Sequence, residues 1–163
     1  MWLYPSQQKF KYPKAGEKNS TVKIYYYDVD KEVHNFIYTE KDYEYIPRIK
    51  WTNTPNLLVL YGLNRKQNEL DFILANVNNN TNRIIFTEID KYYIDIHDNL
   101  TFLPNNNFIW TSEKSGFNHI YIKDFEGDEI QVTKGNWEVT KFHGVNSDEM
   151  KIFYTSTEDG SIN

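Results

Sequence analysis

Glycine and serine positions decide first whether the chain could carry a serine hydrolase motif or a phosphate-binding motif. A serine nucleophile needs the pattern G-x-S-x-G, because only a sharp turn exposes its hydroxyl group. The glycines are Gly16, Gly62, Gly116, Gly127, Gly135, Gly144 and Gly160. None of them completes that pattern, and the phosphate-binding patterns G-x-x-x-x-G-K and G-x-G-x-x-G are missing as well. These residues therefore indicate neither a hydrolase nucleophile nor a phosphate loop.

Histidines and acidic residues are the usual metal ligands and general acids or bases. The four histidines are His34, His97, His119 and His143. None of them forms the H-x-x-x-H or H-E-x-x-H spacing that places two ligands on one metal ion, so we interpret them as surface or hydrogen-bonded side chains. Acidic pairs such as Asp28 and Asp30 occupy predicted turns, where solvent prevents the pKa shifts that acid–base catalysis needs. The chain also lacks cysteine, and we expect no catalytic residue, metal or cofactor.

Three tryptophans and one arginine are the other candidate binding residues. Aromatic rings can stack on sugars, but Trp51, Trp110 and Trp137 lie at or within predicted strands, so we interpret them as packing between sheets. Arg65 lies in a polar loop between two predicted strands. Its guanidinium could pair with a carboxylate from a neighbouring sheet or from a ligand, and the sequence leaves both alternatives open.

Repeated strand patterns must position these residues. Within 106–139, apolar and polar residues alternate in three short runs separated by glycine-containing turns, which is typical of antiparallel strands. The run that starts at Phe108 recurs 44 residues later, at Ile152. A four-stranded unit that recurs every ~40 to 50 residues is typical of β-propeller blades. The sequence therefore predicts an all-β fold, a partial β-propeller of about three blades, each a four-stranded antiparallel sheet.

The predicted blades divide the chain into segments with almost no helix. These are an extended arm (1–20), the outer strands of one blade (21–40), two full blades (45–88 and 92–135) and the start of a further blade (137–163). The innermost strand of the second full blade is predicted at 92–102. A complete propeller needs at least about four blades, so we expect the whole chain to be part of one larger β-propeller domain.

Composition and charge exclude two classes of function. The net charge is −5 and the lysines and arginines are scattered, which does not fit the basic patch of a nucleic-acid-binding protein. No apolar run approaches the ~18 residues that cross a bilayer, and no targeting signal is visible. We therefore expect no nucleic-acid partner and no membrane segment in this chain.

A set of sequence motifs resembles the N-terminal β-propeller of dipeptidyl peptidase IV-like serine peptidases, in the prolyl oligopeptidase family. The motifs are YPKAG (12–16) followed by NSTVK (19–23), IKW (49–51) followed by LNRKQN (63–68), TSEKSGFNHIY (111–121) and TKGNWEV (133–139). They occur in the family's order and at its spacing across nearly the whole chain. As a set they are specific.

The resemblance implies an eight-bladed propeller that covers an α/β-hydrolase domain and admits short peptides. Such an enzyme removes dipeptides from N-termini and prefers Pro or Ala at the second position. The chain would be its non-catalytic segment: in the family, the glutamate pair that holds the substrate's ammonium group lies upstream of YPKAG, and the catalytic Ser, Asp and His lie downstream of Asn163. An aromatic–arginine pair that some members use has no counterpart at 94–97, so no substrate contact is carried over.

The resemblance also implies a homodimer contact. In the family, the extended arm that ends in YPKAG projects from the propeller and contributes to the dimer interface, and the prolines here restrict this segment to extended geometry without ladder hydrogen bonds. The candidate arm residues are Tyr4, Pro5, Tyr12, Pro13, Lys14 and Ala15. By the same resemblance we expect a bacterial protein that is periplasmic, secreted or attached to the cell envelope.

A second class of function stays open from the sequence: a stand-alone propeller module that binds a protein or a glycan. A G-x-S-x-G motif further along the same reading frame would favour the peptidase. In either case, blades interrupted at the ends of this chain leave unpaired strand edges. We therefore expect the isolated chain to self-associate or to be only marginally stable.

Overall fold

Antiparallel strands make up nearly all of the regular structure in the computed structural model, which describes residues 6–12, 14–146 and 148–160. The strands are β1 (Ile24–Asp28), β2 (Val33–Ile37), β3 (Ile49–Trp51), β4 (Leu57–Leu63), β5 (Glu69–Asn76), β6 (Thr81–Ile89), β7 (Thr101–Phe102), β8 (Phe108–Ser112), β9 (His119–Lys123), β10 (Glu129–Gln131), β11 (Val139–Asn146) and β12 (Lys151–Ser156). One 3₁₀ turn, Pro104–Asn106, precedes β8. The predicted all-β class is confirmed, and among the described residues no helix has the length and apolar character to cross a membrane.

The strands form four antiparallel sheets in which neighbours along the chain are also neighbours in the sheet. β1 pairs with β2, and β11 pairs with β12. Between these two hairpins, β3 to β6 form one four-stranded sheet and β7 to β10 form another. Sheets of four strands in sequence order are the blades of a propeller, which is the repeat that the sequence predicts.

β4 and β5 are deeply buried because neighbouring sheets cover both of their faces. Their sequences, LLVLYGL and ELDFILAN, are therefore nearly continuous apolar runs instead of alternating ones. The tight turns beside them use residues that tolerate a left-handed backbone. Gln67 has a φ of 57° before β5, and Asn80 has a φ of 53° before β6.

Three apolar cores join the sheets face to face in chain order. The first hairpin packs on the first four-stranded sheet around Ile37 and Ile73. The two four-stranded sheets share a core in which the rings of Phe72 and Trp110 meet edge to face, with their centroids 4.8 Å apart. A third core around Val139 joins the second four-stranded sheet to the last hairpin.

The predicted innermost strand at 92–102 is wrong over most of its length, because only Thr101–Phe102 pairs as a strand. The preceding residues form a loop whose backbone groups bond outside the ladder. Asp90 Oδ1 accepts hydrogen bonds from the N–H groups of Tyr92 and Tyr93, and the N–H of Ile94 donates to the carbonyl of Gln67. These bonds satisfy the backbone locally and leave residues 90–100 as an ordered loop.

The packing interpretation of the tryptophans is confirmed for two of the three. Trp110 is fully buried, and Trp137 packs against the third core with its ring stacked on Tyr154. Trp51 is 55% exposed and does not pack between sheets. Its strand, β3, has three residues and lies at the sheet edge, so neighbouring side chains do not cover it.

Candidate functional site

The predicted dimer arm is an exposed segment in front of β1. Tyr12, Lys14 and Ala15 are all exposed, whereas Tyr4, Pro5 and Pro13 lie outside the described residues. A turn closes the arm: the N–H of Glu17 donates to the carbonyl of Lys14, and Gly16 in this turn has a φ of +85°, which favours glycine. The structure thus presents this part of the arm to solvent, and its role in a dimer stays a prediction.

Arg65 holds the base of the arm to the loop between β4 and β5. Its Nη1 pairs with Glu44 Oε1 at 2.5 Å, and its Nη2 donates to the carbonyl oxygen of Glu17 at 2.9 Å. Of the two alternatives for Arg65, the structure places a carboxylate of the chain itself against the guanidinium. The Arg65 side chain is half exposed, so this pair contributes at most about 1 kcal/mol to stability.

A polar cavity of about 80 Å³ lies where the 90–100 loop meets the end of β8. Its lining includes Glu88, Asp90, Tyr93, Asp95, His97 and Trp110. A space of this size accommodates a few water molecules or one small polar group, not a whole peptide. The loop, the end of β6 and the end of β8 together form what we call the loop site, defined as residues 88–99 and 110–114.

Glu88 is the buried acid of the loop site. Its Oε2 accepts a hydrogen bond from Trp110 Nε1 at 2.6 Å, and its Oε1 accepts one from Ser112 Oγ at 2.5 Å. Burial raises the pKa of Glu88, and these two hydrogen bonds and the more distant Lys123 and Lys114 oppose the shift without cancelling it.

His97 fixes the far end of the loop onto β8. Its ring lies 3.9 Å from the Trp110 ring, centroid to centroid. The N–H of Asn99 donates to Nδ1, and Nε2 lies 2.9 Å from the carbonyl oxygen of Thr111. Nδ1 therefore acts as the acceptor and Nε2 carries the proton, which is the arrangement of a neutral imidazole. Burial lowers the pKa of His97 and favours the same neutral form.

A lysine on the rim of the loop site belongs to a second charged group. Lys114 forms an ion pair with Glu129, which also pairs with Lys123. Lys123 is almost completely buried and lies over the ring of Phe86, 3.6 Å from its centroid. Burial lowers the pKa of Lys123. Through the contact of Lys123 with Phe86, this group joins the two four-stranded sheets.

The remaining sequence candidates do not assemble into a reaction centre. His119 is buried between Thr133 and the carbonyl of Gly135, as a hydrogen-bonded side chain. Across residues 6–12, 14–146 and 148–160, no group of three or more His, Asp or Glu side chains could hold a metal ion. His97 and Trp110 are the sequence candidates that line the loop site.

Sequence reasoning missed Glu88 and the loop site. One signal was available: β6 places an acidic residue inside a strand, and Trp110 and Ser112 alternate on one face of β8. The sequence does not show that Glu88 in β6 faces Trp110 and Ser112 in β8, because this contact depends on how the two sheets stack.

Comparison with known proteins gives one consistent family. The family model described as the dipeptidyl peptidase IV (DPP IV) N-terminal region matches residues 2–163. The probable dipeptidyl-aminopeptidase B of Phaeosphaeria nodorum is 30% identical over 180 residues, which cover 98% of this chain and 20% of that protein. The dipeptidyl peptidase 4 of Trichophyton rubrum is 28% identical, with coverages of 95% and 21%.

A solved structure agrees with the sequence relatives. The crystal structure of Porphyromonas gingivalis dipeptidyl peptidase 4 superposes with a TM-score of 0.88 at 36% sequence identity, over 97% of this chain and 23% of that one. The chain therefore spans about a fifth of the length of the proteins it matches.

Proposed function

This chain belongs to the family of the dipeptidyl peptidase IV N-terminal region, and from that premise we propose that it is the non-catalytic β-propeller segment of a serine exopeptidase that removes N-terminal dipeptides. The observation that carries the proposal is the family match over residues 2–163, supported by the structural match to a dipeptidyl peptidase 4 over 97% of the chain. The 163 residues contain no G-x-S-x-G motif, so we assign the chemistry to another part of the protein.

Within that enzyme we propose that the segment serves substrate access through the loop site. The loop carries exposed Tyr93 and Asp95 beside a polar cavity, on a base that buried contacts of His97 and Trp110 hold in place. Rigid support beneath exposed polar and aromatic groups is what a substrate entrance requires. The preference for Pro or Ala at the second substrate position is part of the same proposal.

For the arm we propose a contact between two copies of the enzyme. Phe10 and Tyr12 are 78% and 81% exposed, and large exposed aromatic side chains are typical of interfaces. A peptidase of this kind would work outside the cytoplasm, in the periplasm, at the cell envelope or in the medium.

The test is to express the protein to its natural boundaries and to measure release of the chromophore from a Gly-Pro anilide, with residues 1–163 alone as the matched control. Activity of the long protein and none of the control supports the proposal. A long protein that is folded and inactive on Gly-Pro and Ala-Pro anilides contradicts it, and then a module that binds a protein or a glycan becomes the better hypothesis.

The dimer is tested separately by sedimentation of the full-length protein. We expect a dimer for the natural sequence and a weaker one for Tyr12→Ala, with Tyr25→Ala, another exposed tyrosine outside the arm, as control. A monomer at micromolar concentration would contradict the assembly role and leave the peptidase proposal intact.

A further inference from the structure

Glu88 lies at the buried base of the loop site and is hydrogen-bonded to the strand beneath the loop, β8. Its carboxylate accepts from Trp110 and Ser112, which lie two residues apart on one face of β8. The acid is 9% exposed. A buried carboxylate with two short hydrogen bonds fixes the orientation of both donors.

The fixed indole of Trp110 is in turn the floor on which the loop rests. His97 lies on the Trp110 ring, and Asn99 Nδ2 donates to Thr111 Oγ1 at 2.9 Å. On the other side, the N–H of Asp90 donates to the carbonyl of Asn68 at 3.0 Å. The loop is thus attached at both ends. At its far end the Trp110 ring lies beneath His97, Thr111 bonds His97 and Asn99, and Arg48 pairs with Asp98.

We propose that Glu88 is a positioning residue, which acts through Trp110 and His97 to hold the 90–100 loop in the geometry that receives the peptide substrate. This inference rests on the proposed peptidase function and names the group that sets its substrate affinity. Glu88 itself does not touch substrate. Removing its carboxylate leaves the buried N–H of Trp110 without its acceptor, so the indole and the His97 ring above it shift, and the segment with Tyr93 and Asp95 then samples geometries that fit the peptide less well.

The chain provides a matched control for this test. Asp71 is a second buried acid in the same sheet, 1% exposed, and it bonds Lys41, Tyr43 and Thr87 on the opposite face, away from the loop. A variant at Asp71 reports what the loss of a buried carboxylate does to this sheet when the loop contacts stay in place.

The experiment measures kcat and KM for a Gly-Pro anilide in the full-length protein with Glu88→Ala, Glu88→Gln and Asp71→Asn. We expect Glu88→Ala to raise KM about fivefold to tenfold with kcat changed less than about twofold, because substrate binding is weakened and the reacting groups are not. Glu88→Gln keeps an acceptor for Trp110 and should restore KM to within about twofold of the natural protein. Asp71→Asn should leave KM unchanged while lowering the melting temperature.

A second variant guards against a Glu88→Ala protein that does not fold. Trp110→Phe keeps an aromatic ring under His97, and it removes the N–H that Glu88 binds together with part of the buried indole, so it should raise KM in the same direction by about threefold. An unchanged KM in folded Glu88→Ala, or in Trp110→Phe when the first variant is unfolded, overturns the inference while the peptidase function stands. An inactive natural protein overturns both, and equal KM increases in the Asp71 and Glu88 variants reduce Glu88 to general structural support.

Discussion

Asp71 and Glu88 are buried acids in neighbouring registers of one sheet, and they face opposite ways. Asp71 in β5 pairs across the sheet with Thr87 in β6, and Glu88 is the next residue along β6. Asp71 faces the first hairpin and the segment that follows it, where it bonds Lys41 and Tyr43. Glu88 faces the second four-stranded sheet, where it meets Trp110.

The two acids differ in the groups that donate hydrogen bonds to their carboxylates. Burial raises the pKa of Asp71, but hydrogen bonds from Thr87, Lys41 and Tyr43 outweigh it, and the net pKa lies below the ordinary value. Glu88 receives two neutral donors, and among the described residues no cation forms an ion pair with it, so the effect of burial is larger and its pKa is raised. Asp71 therefore stabilises the fold, whereas the buried Glu88 carboxylate is unfavourable for stability and lies where it orients Trp110 and Ser112.

Removing the Asp71 carboxylate should give the largest loss of stability. In Asp71→Ala, three donors lose their acceptor in a site that is 1% exposed. We expect a loss of about 3 kcal/mol in the free energy of unfolding, because buried donors left without a partner cost about 1 kcal/mol or more each and the half-exposed Lys41 can return to water. The measurement is urea denaturation of the full-length protein, followed at the transition of the propeller. A loss below about 1 kcal/mol would show that Asp71 does not hold the segment 39–43 to the sheet.

Tyr43, which donates a hydrogen bond to Asp71, can be displaced by a substitution at Gly62. A Cβ at Gly62 would lie 2.5 Å from the Tyr43 ring, so Gly62→Ala must displace that ring and its hydrogen bond to Asp71. We expect a loss of about 2 kcal/mol by urea denaturation. In a Tyr43→Ser background the same Gly62→Ala change should cost less than about 0.5 kcal/mol, since nothing then fills the space. Equal losses in the two backgrounds would mean that the clash with Tyr43 is not the cause.

The two carboxylates should change the pH dependence of the free energy of unfolding in opposite directions. Asp71 has a folded pKa below its ordinary value, so its stabilisation is complete above that value, 3.8, and is lost as the pH falls through the folded pKa. Glu88 has a folded pKa above its ordinary 4.5, so its contribution is best below that value and declines as the pH rises through the folded pKa. Asp71→Asn should therefore flatten the loss of stability below about pH 4. Glu88→Gln should gain stability relative to the natural protein as the pH rises above about 4.5.

The measurement is the free energy of unfolding of each variant at several values across that range, with the natural protein as reference. If the free energy of unfolding changed with pH in the same way in Glu88→Gln and in the natural protein, the raised pKa of Glu88 would be contradicted. A steeper acid limb in Asp71→Asn would contradict the lowered one.

The sequence predicted the fold better than it predicted the site, for a physical reason. Alternation in β8 and β9 and the asparagine at the turn before β6 are local signals, and they are enough to place strands and turns. The loop site depends on the stacking of two sheets, because Glu88 and Trp110 come from different sheets and meet only through their shared core. The error at 92–102 has the same origin: its aromatic and β-branched residues suit a strand, but Asp90 and Gln67 hold the backbone in a loop.

The smallest loss of stability is expected for the exposed ion pair of Arg65 with Glu44. Arg65→Met removes the bonds to Glu44 and to the carbonyl of Glu17, both at a half-exposed guanidinium. Because water replaces the lost partners, we expect a loss below about 1 kcal/mol by urea denaturation, shrinking further in high salt. Arg48→Met, which breaks a similar exposed pair with Asp98, is the control. The two losses should match. A loss for Arg65→Met that exceeds the control by about 1 kcal/mol would mean that Arg65 also holds the arm in place, since Arg65 bonds the carbonyl of Glu17 in the arm whereas Arg48 bonds the carbonyl of its neighbour Pro47.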